Sequence, residues 1–115
     1  MTFPLDALAT ALASRTESWL RLGGRWQLRP AQPNYGKPVA GAEMESASWL
    51  VDLAIWSTGE AEMSSIRTRD DTMFNKHYEL ADEGDLEKML DELVDLLVND
   101  QVPDAAVVDR SRPTR

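Results

Sequence analysis

Apolar residues near the start of the chain fall at Leu5, Leu8, Leu12, Trp19 and Leu22, a spacing that lines one stripe of a helix over residues 5–22. Gly23 and Gly24 end it. Arg25-Trp26-Gln27-Leu28-Arg29 then alternates polar with apolar, the period of a short half-buried strand, before Pro30, Pro33, Gly36, Pro38 and Gly41 predict an irregular loop over residues 30–45. The clearest alternation runs from Ser46 to Trp56. Ala47, Trp49, Val51, Leu53 and Ile55 share one face of that strand, and Leu50, Asp52, Ala54 and Trp56 the other. The first face is wholly apolar. The second is mixed, as a face is that lies under a loop or terminus or stays open for contact.

Ser57-Thr58-Gly59 is a turn signal, and Glu60 to Thr68 reads as the returning strand, with Ala61 and Met63 inward. Ile66 is out of phase with them, so a β-bulge near Ser64-Ser65 is expected to return it to the core. After Arg69-Asp70-Asp71, residues Thr72 to Leu80 place Phe74, Tyr78 and Leu80 on a common side and complete an antiparallel meander. Asp82 can cap the next helix, and Glu83, Asp85 and Glu87 suit its positive N-terminal end. Leu86, Leu90, Leu93 and Leu97 form its stripe, widened by Met89, Val94 and Leu96. Residues 99–115, with Pro103, Pro113 and Arg110-Ser111-Arg112, predict a loosely held tail. The expected architecture is a single α+β domain over residues 1–98. It is a two-layer sandwich in which a four-stranded antiparallel sheet carries the N- and C-terminal amphipathic helices on one face.

Composition narrows the function classes. A chain of 115 residues with 43% apolar content supplies one core. Cysteine is absent, so the sequence provides neither disulfides nor thiolate metal ligands. The N-terminal residues lack a basic segment, and no stretch approaches the roughly 20 apolar residues needed to cross a bilayer, which together predict a cytoplasmic protein. Net charge is −8, unevenly spread: residues 1–41 carry +3, whereas residues 42–103 set sixteen acids against four bases, a net −12. Such a field repels nucleic acid and anionic lipid and speeds encounter with a basic protein surface. The same acids would also serve as a solubilising surface.

Catalytic equipment is hard to find. Asp52, Glu60 and Glu62 can lie near one another on the outer face of the 46–68 hairpin, but they alternate with inward residues as solvated side chains do. His77, the only histidine, points with Met73, Asn75 and Glu79 away from the core side of its strand. No zinc or calcium spacing surrounds it, and no cofactor or metal is predicted. A small enzyme built on Asp52, Glu62 and His77 would need a pocket enclosing all three. Of four tryptophans, Trp19, Trp26 and Trp49 fit core positions. Trp56, beside an acidic turn and out of phase with Trp49, fits either an edge position under a loop or an aromatic anchor ringed by acids.

The stretch Trp49-Leu50-Val51-Asp52-Leu53-Ala54-Ile55-Trp56-Ser57-Thr58-Gly59-Glu60-Ala61-Glu62-Met63, followed after a third strand by Asp85-Leu86-Glu87-Lys88-Met89-Leu90, resembles the small immunity proteins of bacterial polymorphic toxin systems, in particular the TriTu immunity family. The likeness covers residues 44–98. It implies a protein, without enzymatic activity, that binds the toxic domain of a cognate effector and occludes its active site or substrate groove. No functional residue is carried over from the family; from charge and strand phase in this chain, the acids would meet a basic toxin surface, with Asp52, Trp56, Glu60, Glu62 and Glu79 as partner-binding residues, and the protein would act as a monomer. On this reading the hairpin and the helix after it present one continuous acidic docking surface. An acidic cytosolic secretion chaperone is the alternative, and a tight homodimer would favour it.

Overall fold

The computed structural model describes residues 2–34 and 36–110. Among these, the elements in chain order are α1 (Ala7–Ala13), α2 (Thr16–Leu22), β1 (Arg25–Asn34), β2 (Lys37–Glu45), β3 (Trp49–Trp56), β4 (Glu60–Arg67), β5 (Thr72–Glu79), α3 (Glu83–Asn99) and β6 (Val107–Arg110). The strands form one antiparallel sheet in sequence order, β1 to β6. The fold is therefore the expected α+β, with six strands instead of four and three helices instead of two.

Both added strands come from segments that the sequence marked as irregular. Residues 30–45 were expected as a loop, yet they complete β1 and supply β2, paired from Arg25↔Glu45 to Asn34↔Lys37. Pro30 and Pro33 are accommodated on β1, a sheet edge, beside a register shift between Arg29 and Gln32, and Pro38 stands at the start of β2, before its pairing with β3 begins at Val39↔Trp56. In the expected tail, Val107–Arg110 pairs with β5 from Asn75↔Val107 to Thr72↔Arg110. Residues 111–115 lie outside the described residues.

The N-terminal stripe is right in direction and wrong in continuity. Leu8, Leu12 and Trp19 are buried and Leu5 and Leu22 pack against the core, but the helix breaks at Ser14-Arg15. There the Leu12 carbonyl accepts the backbone N–H of Arg15 and the indole N–H of Trp19 (2.7 Å), in place of a helical bond. The Arg15 guanidinium crosses to α3, where it binds Asp91 at 2.7 Å and Glu87 at 2.9 Å. The corner is pinned at both ends.

Side-chain alternation divides the sheet. Trp49, Val51, Leu53 and Ile55 of β3, Ala61 and Met63 of β4 and Phe74 of β5 face the helices, where Leu86, Met89, Leu90, Leu93, Leu96 and Leu97 of α3 meet them in one buried cluster. The segment starts as a strand at Trp49 and not at Ser46; Ala47 is exposed in the preceding turn. The expected bulge in β4 is absent, since its pairing with β3 and β5 runs unbroken. Regular alternation turns Ser65 into the core, fully buried with its hydroxyl on the Met63 sulfur, and leaves Ile66 on the opposite face. Asp82 caps α3 as predicted, its carboxylate accepting the Asp85 N–H at 3.0 Å. Among the described residues no helix is long and apolar enough to cross a membrane.

Candidate functional site

All three helices pack on one face of the sheet, so among the described residues the other face is left without a second layer. Register places its residues in cross-strand rows. One row reads Arg25, Glu45, Leu50, Ile66, Met73 and Asp109 from β1 to β6; the next reads Gln27, Glu43, Asp52, Ser64, Asn75 and Val107. A third holds Arg29, Gly41, Ala54, Glu62 and His77, and beyond it Val39 faces Trp56 and Glu60 faces Glu79. Asp52, Trp56, Glu60, Glu62 and Glu79 are thus brought together on this open face, as their phase along the strands predicted.

Local charge is more structured than acidic composition suggests. Glu43 and Asp52 stand directly opposite each other on β2 and β3, an arrangement that is unfavourable between like charges. Arg29 resolves it by reaching across β2, donating to Glu43 Oε2 at 2.6 Å, Asp52 Oδ1 at 2.8 Å and the Leu53 carbonyl at 3.3 Å. Its path runs over Gly41. A Cβ there would stand 2.3 Å from the Arg29 Nη2 and 2.8 Å from the Leu53 carbonyl oxygen, so the residue beneath the guanidinium has to be glycine. One cation serves two carboxylates, leaving a negative charge in excess.

At the other end of the face, Glu60 accepts a hydrogen bond from Thr58 and another from Lys37 at 3.0 Å, and these hold its carboxyl below the ordinary range. The turn that sets this geometry uses Gly59 at φ +99°, packed so closely on the Leu80 carbonyl that a Cβ would lie 2.5 Å from its oxygen. His77 sits between two carboxylates, with Glu62 on Nδ1 and Glu79 on Nε2. A neutral imidazole has one N–H and satisfies one of them; the imidazolium satisfies both. Hydrogen bonds to Glu79 and then Glu62 accordingly raise the His77 pKa above the usual imidazole value.

The same geometry bears on chemistry. Glu62 and Glu79 contact opposite ring nitrogens and do not converge on one point, and no group of metal-ligating side chains is assembled among the described residues. Asp52 lines a hollow of about 610 Å³ on the open face, whose lining includes neither Glu62 nor His77. The enclosed three-residue pocket that a small enzyme would require is therefore not formed there.

Two parts of the sequence reading change. The acids of residues 42–103 do not make one docking surface, because α3 lies on the covered face and carries its carboxylates on that side of the sheet, where Glu87 and Asp91 pair with Arg15. There Glu92 accepts from Lys76 at 2.8 Å and from the Tyr78 hydroxyl at 2.8 Å. Leu50, Ile66 and Met73 also meet on the open face, a grouping hidden by the expectation that Ile66 returns to the core. Strict two-residue alternation through Glu60–Arg67 was the signal that places it. Trp56 is half-buried on this face, opposite Val39. Compared with known proteins, the chain matches no family model, and no curated protein or solved structure matches it significantly.

Proposed function

We propose that this chain is a non-catalytic binding protein that docks its open sheet face on a basic surface of another protein, and that the partner is the toxic domain of a cognate effector, as the resemblance to immunity proteins implies. One observation carries the reading. A sheet face without a covering layer gathers Asp52, Trp56, Glu60, Glu62 and Glu79, while the helices and their buried leucines occupy the other side. An uncovered face with apolar residues among charges is the composition of an interface more than of a solvated wall. Its carboxylates outnumber its cations, which favours a basic partner and disfavours nucleic acid. Binding would occlude the toxin's active site or substrate groove by seating the sheet over it, and no group on this chain would need to react.

The test is to mix the protein with the toxin domain encoded beside it and to follow complex formation and toxin activity as salt is raised. A complex at low salt that weakens with ionic strength, and that is lost when Glu62→Lys and Glu79→Lys are combined, supports the reading. Absence of a complex at low salt overturns it, and a tight homodimer without toxin binding would favour the chaperone alternative.

A further inference from the structure

Resting on that docking reading, we infer that the energetic centre of the face is the row Leu50, Ile66 and Met73, and that its occupant is a protein segment presenting one large apolar side chain beside a lysine or arginine. These three residues are direct cross-strand partners on β3, β4 and β5, so their side chains form an unbroken apolar strip about 10 Å long, given strand spacings of roughly 4.8 Å. Leu50 is 39% exposed and Met73 36%, each turned outward by its phase along the strand. Together with Ile66 they line the 610 Å³ hollow.

Charge around the strip selects the occupant. Glu43, Glu45 and Asp52 line the same hollow with Arg25 as its one lining cation; Arg29 is shared between Glu43 and Asp52, and Glu45 has no ion-pair partner among the described residues. Arg25 stands across from Glu45 at the β1 margin, so the negative excess lies toward β2 and β3, next to Leu50. An apolar side chain set into the hollow excludes water from those carboxylates, and a neighbouring cation then meets them in a less screened setting. A second copy of this chain is a poor occupant, because face-to-face contact would bring the same carboxylates together. A phosphate-bearing ligand meets the same repulsion.

The experiment titrates the labelled protein, followed by amide NMR, with three synthetic peptides. The first carries a single tryptophan flanked by lysines, the second replaces that tryptophan with serine, and the third replaces the lysines with glutamates. The expected result is shifts centred on Leu50, Ile66 and Met73 with the first peptide, and affinity weaker by roughly tenfold to a hundredfold with each of the others, the range for loss of a hot-spot contact. Leu50→Ser and Met73→Ser, both partly exposed and checked for unchanged melting, should each weaken binding by roughly tenfold. No shifts at low salt from the first peptide, or equal binding by the serine peptide, overturns the inference. With the cognate toxin domain the two proposals separate. Loss of the complex through Glu62→Lys and Glu79→Lys but not through Leu50→Ser and Met73→Ser would sink this inference and leave the docking reading standing; insensitivity to both pairs would sink both.

Discussion

Leu53 and Leu50 are the same residue type on the same strand, one with no exposure and the other 39% exposed, and the whole sheet divides as they do. On the covered face, side chains meet three helices, and polar groups such as Lys76 and Tyr78 are held by Glu92, while the buried Trp26 indole N–H has no partner among the described residues. On the open face the same backbone displays charge pairs, a clamped imidazole and an apolar strip. The difference teaches that acidity along the chain is a poor guide to acidity in space. Residues 42–103 are one block in sequence, but alternation and the helix crossing send their carboxylates to opposite sides of the molecule.

The sharpest way to test that division is to cut the same side chain on each face. Leu53→Ala should lower unfolding free energy by about 2–5 kcal/mol in urea denaturation, while Leu50→Ala should cost less than about 1 kcal/mol. Comparable losses would mean that the open face is packed against something in solution. Next in size is Gly41→Ala, which forces Arg29 off the Glu43–Asp52 pair and should cost about 1–3 kcal/mol. A double-mutant cycle with Asp52→Asn checks the cause, since the two losses should fall short of additive. On the covered side, Asp82→Ala removes the α3 cap and should cost about 1 kcal/mol by the same measurement.

The smallest effect concerns the clamp. His77 should titrate above the ordinary imidazole value of 6.5 when its ring protons are followed by NMR, and Glu79→Gln should lower the midpoint more than Glu62→Gln. Because the folded-state pKa is raised, the clamp's contribution to stability is complete below the unfolded-state value and fades as pH climbs through the folded-state midpoint. A midpoint at or below 6.5 would show that the two carboxylates do not hold the ring.

Much of the covered face was legible because its signals agree: two-residue alternation in Trp49–Trp56 and leucines at helical spacing in α3 each name one structure. The break at Ser14-Arg15 was not legible, since Leu12 and Trp19 remain seven residues apart, in phase with a single helix, and what marks it is tertiary: the Trp19 indole on the Leu12 carbonyl and Arg15's reach to α3. The β1–β2 hairpin was masked by Pro30, Pro33 and Pro38. Pro30 and Pro33 argue against a central strand but not against an edge, Pro38 precedes the first β2–β3 pair at Val39↔Trp56, and Ala40, Ala42 and Met44 alternated with Gly41, Glu43 and Glu45 all along. Ile66 misled in the other direction. Its apolarity argued for burial, whereas its phase in β4 fixed it on the open face and sent Ser65 inward instead. Phase along the strands was enough to place Asp52, Trp56, Glu60, Glu62 and Glu79 on one face; the apolar strip between them was not legible, because it exists only across strands.

The two borders of the sheet set how crowding is tolerated. One border carries Pro30 and Pro33 beside a register shift, and the other is a four-residue strand ending in Asp109 and Arg110. The prolines and the register shift interrupt the β1 border, which makes it a poor template for an added strand. Edge pairing by a neighbouring strand is disfavoured at that margin, which leaves the broad side of the sheet as the larger surface open to contact.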